Sequence, residues 1–358
     1  MTRSGRSRRG RRNWRRISLV AAIVGVVLSL VAYVGVSAYV YNQMGPVTAG
    51  CPATEGFVDI QDPTAFVASI EVDGARHAVD TTPYRMPSPQ TVTFQARDDS
   101  KITIAAWWEP ADSLDAPTVI VVHGRNGCRR NSGNLLVAGM LHRNGMAVLL
   151  IDMRNHGDST VADGYYAAGT DEYLDVLGGF DWLRAQGIPA HRIGLFGFSG
   201  GAIAVMIAMG EESEVAAVWA DTSWPDVREV LHDGLNDKGL PTFFDVGAIA
   251  VGSVLNGHDI AARSPLAATA KLNGRPIFLT QGAEDQYLSP RYLDELAAGV
   301  RAAGGIVDPW LVPGAGHTQA HFLRPAEYEQ RLVGFFGPAL GGVVRSRDTE
   351  AGTAPGPP

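Results

Sequence analysis

The sequence predicts an α/β protein: a mostly parallel central sheet flanked by helices, with a small helical lid, set behind an N-terminal transmembrane helix. Three observations lead there. From about residue 90 onward, short runs that are apolar throughout alternate with helical patterns. Near the N-terminus, 25 residues from Ile17 to Tyr41 carry no charge. Within the alternating region, a glycine-flanked serine, Ser199, sits where a strand-like run turns into a helix-like one.

The N-terminal element follows from charge and length. The first sixteen residues hold eight arginines (Arg3, Arg6, Arg8, Arg9, Arg11, Arg12, Arg15 and Arg16) and no acid. The uncharged run that follows would extend about 37 Å as a helix, enough to cross a hydrocarbon layer of ~30 Å with some tilt. Trp14 on one flank and Tyr39 and Tyr41 on the other suit the two membrane–water interfaces. An arginine-rich flank stays cytoplasmic, so a single-pass cell-membrane protein with its bulk outside is expected. The competing reading is a cleaved secretory signal with Val36–Ala38 as the cleavage site, but the run exceeds the ~7–15 apolar residues of a signal core. Nucleic acid is not an expected partner, because the adjoining span already accounts for the arginines.

Without those eight arginines, 22 Lys and Arg face 37 Asp and Glu, a net charge near −15. Such an outer domain is disposed against polyanionic partners and toward solubility. The two cysteines, Cys51 and Cys128, can pair in an oxidising compartment or remain two thiols, and the sequence leaves both open.

The expected organisation is an Arg-rich segment 1–16, a span 17–41, a stalk 42–89 with one short strand around Phe66–Gly74, a main domain 90–340 and a disordered tail 341–358. Thr91–Ala96 and Lys101–Pro110 read as two strands joined by a turn. Pro117–Gly124, Met146–Met153, Arg192–Phe198, Val215–Asp221, Pro276–Gly282 and Ile306–Gly314 complete the strand set. The continuously apolar ones among them belong to strands buried on both faces. Thr170–Gly187 has apolar residues at helical spacing and stops at a glycine. Strands alternating with helices imply βαβ units and a parallel sheet covered on both sides. Residues 225–275, with the apolar stretch Leu240–Gly257, interrupt the alternation and are expected to form the lid.

Gly197-Phe198-Ser199-Gly200-Gly201 fits the G-x-S-x-G pattern of a nucleophile elbow. A serine on a sharp strand-to-helix turn is lifted clear of the strand end, and neighbours with side chains would clash there. The helix that follows directs free N–H groups and its positive end toward the same point, where an oxyanion would form. Asp285 then lies just beyond one strand, in "QGAEDQ", and His317 beyond the next, in "GAGHTQ".

With these residues in the order Ser, Asp, His, the chain from about Gln90 to Leu340 resembles the α/β-hydrolase superfamily. The resemblance rests on Gly282-Ala283-Glu284-Asp285 after the seventh strand, Gly316-His317 after the eighth, His123-Gly124 after the third and "DMRNHGDS" (Asp152–Ser159) after the fourth. It implies that Ser199 attacks an acyl carbon, His317 takes the proton and Asp285 holds the imidazole. Backbone N–H groups of Arg125 and Gly200 would form the oxyanion hole, with Gly197 and Gly201 as the elbow glycines. No cofactor and no metal are expected, since His317 and His321, four residues apart, lack a third ligand motif.

Other assignments stay open. Asp221 could serve as the acid in place of Asp285, while Glu284 should turn outward. His123 and His156 are expected to hold loops. One of the arginines in Arg125-Asn126-Gly127-Cys128-Arg129-Arg130 could face the pocket and favour an anionic substrate, or the loop could be a solvated surface. The expected activity is a carboxylesterase- or lipase-like serine hydrolase cleaving an ester, thioester or lipid acyl bond through an acyl-enzyme. An acyltransferase with the same triad and a non-catalytic binding or scaffold domain are the alternatives. Oligomeric state is not readable.

Overall fold

The computed structural model describes residues 5–342 apart from 52–58, 73, 99–100, 114 and 258. The expected disordered tail therefore lies almost wholly outside the described residues. In chain order the elements are α1 (Gly5–Met44), β1 (Ala68–Val72), β2 (Ala75–Val79), β3 (Gln90–Gln95), β4 (Thr103–Glu109), β5 (Thr118–Val122), α2 (Ser132–Arg143), β6 (Ala147–Ile151), α3 (Glu172–Ala185) and β7 (Ile193–Phe198). There follow α4 (Gly200–Glu211), β8 (Ala217–Asp221), α5 (Val227–Asp237), α6 (Phe244–Asn256), α7 (Pro265–Thr269), β9 (Pro276–Gly282), α8 (Arg291–Ala302), β10 (Ile306–Val312), α9 (Ala320–Leu323) and α10 (Pro325–Ala339).

Eight strands form one sheet in the order β10-β9-β8-β7-β5-β6-β4-β3. Pairing is parallel from β10 through to β6 and antiparallel where β4 meets β6 and β3 meets β4. Every residue of β5, β6, β7 and β8 is buried. That is the reason these strands lack polar alternation: each face of a parallel sheet is covered by the helices that return the chain. On one face Val119, Val121, Val148, Leu150, Phe196 and Trp219 pack with α2 and α10 residues such as Leu136, Met140, Leu332 and Phe336. Trp219 stacks on Phe278 with 3.8 Å between ring centroids. On the other face α3 approaches so closely that a β-carbon at Gly179 would touch Leu149 and Ile120.

Within residues 42–89, expected as a stalk, a few apolar side chains are buried while most of the described residues are exposed. Ile60, Phe66, Tyr84 and Met86 belong to the buried core. The single strand expected there is a hairpin of β1 and β2. Cys51 and Cys128 form a disulfide, with their Cα atoms 5.3 Å apart. Contacts divide the chain into two units, Met1–Gly45 with Leu231–Asp259, and Pro46–Val230 with Ile260–Pro358. The apolar middle of the segment expected as a lid thus shares a unit with α1. Within α1, Asn13–Met44 is long and apolar enough to cross a membrane.

Candidate active site

Ser199 joins β7 to α4 with φ 48° and ψ −114°, a left-handed value that costs a non-glycine residue strain. The surrounding glycines are there because nothing larger fits. A β-carbon at Gly197 would land on the Gly201 carbonyl, and one at Gly201 would stand 2.5 Å from the carbonyl oxygens of Val122 and His123. The Ser199 N–H donates to the Asp221 carbonyl over 2.8 Å, so the strand pairing holds the turn from one side.

Three loops at the same sheet edge bring the predicted residues together. Ser199 Oγ lies 2.9 Å from His317 Nε2, and His317 Nδ1 lies 2.9 Å from Asp285 Oδ2. An ionised carboxylate only accepts, so Nδ1 carries the ring proton and Nε2 accepts from the serine hydroxyl. Asp285 is fully engaged. Its Oδ1 accepts the N–H groups of Tyr287 and Leu288 over 2.8 and 3.0 Å, and its Oδ2 also accepts Gln281 Nε2 over 2.8 Å. Gln281 is a supporting residue that the sequence did not announce, since one glutamine at the end of an apolar strand carries no pattern. Tyr287, itself exposed, sets its ring edge-on to His317 at 5.2 Å between centroids.

The other candidates are placed as follows. Asp221 does not reach His317; it accepts from Tyr328 Oη over 2.6 Å and from Thr222 Oγ1 over 2.9 Å. Burial pushes its pKa up to about 6. Glu284 is exposed. His321 is buried beside Phe198, Phe322 and Tyr328, not beside His317, and burial lowers its pKa to about 3. His123 donates from Nδ1 to the Gly124 carbonyl over 2.7 Å and accepts the Met153 N–H at Nε2 over 3.0 Å. His156 donates from Nδ1 to the Arg154 carbonyl over 2.8 Å and accepts the Asn126 N–H over 3.2 Å. Both rings hold loops, and burial lowers their pKa values to about 4 and about 3.

The loop after β5 is braced rather than solvated. Arg129 pairs with Asp152 and with Asp158, the latter over 2.6 Å, and Arg130 pairs with Asp158 and with Asp59, the latter over 2.6 Å. These two arginines are therefore structural, which removes them from the expected choice of pocket-facing cations. Arg125 is the exposed one of the three. A β-carbon at Gly200 would stand 2.9 Å from the Arg125 nitrogen and 3.0 Å from Tyr166 Oη, and one at Gly124 would be 3.8 Å from Ser199 Oγ. The Gly124–Arg125 segment thus passes close to both Gly200 and Ser199. As the first residue of α4, Gly200 has no N–H acceptor within its own helix. Such a set, a hydroxyl held by a neutral imidazole with main-chain donors alongside, can deprotonate the hydroxyl and stabilise an oxyanion.

A family model described as the α/β-hydrolase fold matches residues 117–264. Solved structures agree over a longer stretch. An esterase of Pyrococcus furiosus superposes with a TM-score of 0.54 at 24% identity, over 69% of this chain and 91% of that one. A Butyrivibrio proteoclasticus protein solved with ferulic acid bound gives 0.52 at 16% identity, over 70% of this chain and 100% of that one. An α/β hydrolase from Penicillium sp. sh18 gives 0.55 at 16% identity, over 72% and 100%. No curated protein matches the sequence. The chain is a protein of the α/β-hydrolase fold with an apolar helix at its N-terminal end.

Proposed function

We propose that the chain is a membrane-tethered serine hydrolase that cleaves an ester, thioester or lipid acyl bond through an acyl-enzyme. The observation that carries this reading is the continuous hydrogen-bonded line Ser199–His317–Asp285, 2.9 Å at each step, on a strained turn at the sheet edge. In the proposed reaction His317 Nε2 takes the Ser199 proton as Oγ attacks the acyl carbon. The oxyanion that forms is stabilised by the main-chain N–H groups of Arg125 and Gly200, the protonated ring passes its proton to the leaving group, and Asp285 stabilises the imidazolium. Water, activated by the same ring, then releases the acyl group.

An outward location is supported by the arginine-rich flank of α1 and by the Cys51–Cys128 disulfide, a bond that persists in oxidising compartments.

The test is labelling of the full chain in membranes with a fluorophosphonate, followed by assay on p-nitrophenyl esters of graded chain length. Labelling and turnover that both vanish in Ser199→Ala are expected. Labelling unaffected by that substitution, or none in the native chain, would return the domain to a binding or scaffold role.

A further inference from the structure

The helix α6 packs along the distal part of α1, and the register of that packing assigns it a depth. The Tyr33 ring stacks against Phe243 and Phe244 with centroids 5.9 and 5.4 Å apart, and its hydroxyl donates to the Phe243 carbonyl over 3.2 Å. Further along, a β-carbon at Gly247 would fall on Ser37, and one at Gly252 would stand 2.5 Å from the Tyr41 ring. The two helices therefore run side by side in the same direction, pressed together through small residues as membrane helices are. Beside these contacts an apolar strip stays exposed, Val246, Ala250 and Val254 together with the part of Phe243 that Tyr33 leaves uncovered, with Phe243 57%, Val246 65% and Val254 81% exposed. It bears no charge. The one acid of the helix, Asp245, is buried and paired with His232 over 2.7 Å.

We propose that the start of α6 is a second membrane contact: Phe243 and Val246 sit among lipid acyl chains in the leaflet away from the arginine-rich end. The inference rests on reading α1 as the membrane span. With the hydrocarbon layer beginning at Ile17, Tyr33 lies sixteen residues, about 24 Å, into a layer of ~30 Å. Phe243, level with Tyr33, is then inside the acyl region. Val246, near the level of Ser37, is at its boundary, and Val254 rises past it toward the headgroups. An uncharged row of this kind is unfavourable against water at about 25 cal/mol for each Å² left exposed, and the bilayer next to α1 is the apolar phase within its reach. The chemistry recognised is that of lipid hydrocarbon, with no headgroup preference.

The two native cysteines are tied in a disulfide, so a single introduced cysteine takes a fluorophore alone. Phe243→Cys, Val246→Cys, Val254→Cys and, on α1, Val24→Cys are each labelled with an environment-sensitive dye. The full chain is placed in phosphatidylcholine–phosphatidylglycerol vesicles carrying nitroxides on the acyl chains or on the headgroups. Quenching of positions 24, 243 and 246 by acyl-chain nitroxides, with blue-shifted emission, and of position 254 mainly by headgroup nitroxides is expected. Quenching at 24 with iodide-accessible labels at 243 and 246 overturns the proposal and leaves the span intact. No acyl-chain quenching at 24 overturns both. Shielding of 243 and 246 from lipid and iodide alike, with disulfide dimers of the unlabelled Phe243→Cys chain, assigns the row to a second copy and overturns the lipid contact.

Discussion

His317 Nδ1 donates to Asp285 Oδ2 over 2.9 Å, and that contact separates the carboxylate expected from the sequence from its alternative, Asp221. Asp221 ends the neighbouring strand and is as deeply buried, yet its oxygens are taken by Tyr328 and Thr222. Asp285→Asn should lower kcat by about 10⁴, because an amide in that place no longer fixes the tautomer that presents Nε2 to the serine. Asp221→Asn should leave kcat nearly unchanged. Steady-state kinetics on one p-nitrophenyl ester decides it, and equal losses in the two variants would move the acid to a shared role.

His123 and His156 should not titrate between pH 8 and pH 5. Each ring donates from Nδ1 to a carbonyl and accepts a backbone N–H at Nε2, so a second ring proton would confront a donor. Their folded pKa values, about 4 and about 3, lie below the ordinary 6.5. Below pH 6.5 the unfolded chain therefore binds protons that the folded chain refuses. The stability these rings contribute is full above that pH and is lost by about 1.4 kcal/mol per pH unit for each ring as pH falls toward 4. Glu172, Asp175 and Asp221, raised by burial to about 7, about 6 and about 6, act in the opposite sense over much of that window. Below about pH 4 the acids and His123 have levelled off, and the remaining loss, down to about pH 3, comes from His156 and His321, whose folded pKa values are about 3. Long-range ¹H–¹⁵N correlation of the imidazoles reads the first point directly, and a titration of either ring near pH 6.5 would refute it.

The disulfide should matter to both stability and rate. It closes 77 residues of sequence separation, for which loop-closure entropy corresponds to about 4.5 kcal/mol. Cys128 lies in the same loop as Arg125, whose N–H is one proposed oxyanion donor, and Asn126 Oδ1 accepts the Thr48 N–H over 3.1 Å just before Cys51. Reduction, or Cys51→Ala with Cys128→Ala, should lower Tm by roughly 2–4 °C for each kcal/mol lost and lower kcat with it. Thermal melts with and without reductant, alongside a thiol count on the unfolded chain, provide the check. Two free thiols in the native chain would remove the premise.

The sheet was legible because β5 to β8 are buried on both faces, which leaves runs with no polar interruption, and because glycines bracket Ser199 where backbone passes over backbone. The reach of His317 to Asp285 was legible only in order along the chain. Other parts depend on distant partners. Gln281 is one polar residue in an apolar strand until Asp285 is seen beside it. Tyr84 enters the core because Gly139 lets α2 approach within contact of its carbonyl, a relation no local pattern encodes. Arg129 and Arg130 looked free until Asp59, Asp152 and Asp158 were placed around them. Gly247 and Gly252, likewise, read as ordinary helix-weakening residues until Ser37 and Tyr41 are found against them.

Gly200→Ala tests the oxyanion hole apart from the elbow. At Gly197 an added methyl meets the Gly201 carbonyl and at Gly201 the carbonyls of Val122 and His123, which cannot retreat without parting α4 from β7 and β5 respectively, so those variants should fail to fold. At Gly200 the methyl meets the Arg125 main-chain nitrogen at 2.9 Å, which must shift, and Tyr166 Oη at 3.0 Å, the buried hydroxyl that donates to the Gly200 carbonyl, so the loop after β5 has to move while the β7–α4 turn itself is not entered. Alanine also suits the first turn of a helix better than glycine. The variant should fold with a lowered Tm and still place Ser199 against His317. The methyl nevertheless crowds the Arg125 main-chain nitrogen, displacing one proposed donor from a developing oxyanion, a loss of about 10²–10³ in kcat with KM little changed. Fluorophosphonate labelling should slow as well, since attack of Oγ on phosphorus with loss of fluoride develops a comparable negative charge on the phosphoryl oxygen in the transition state. A folded Gly200→Ala chain with native kcat would show that the oxyanion is held elsewhere.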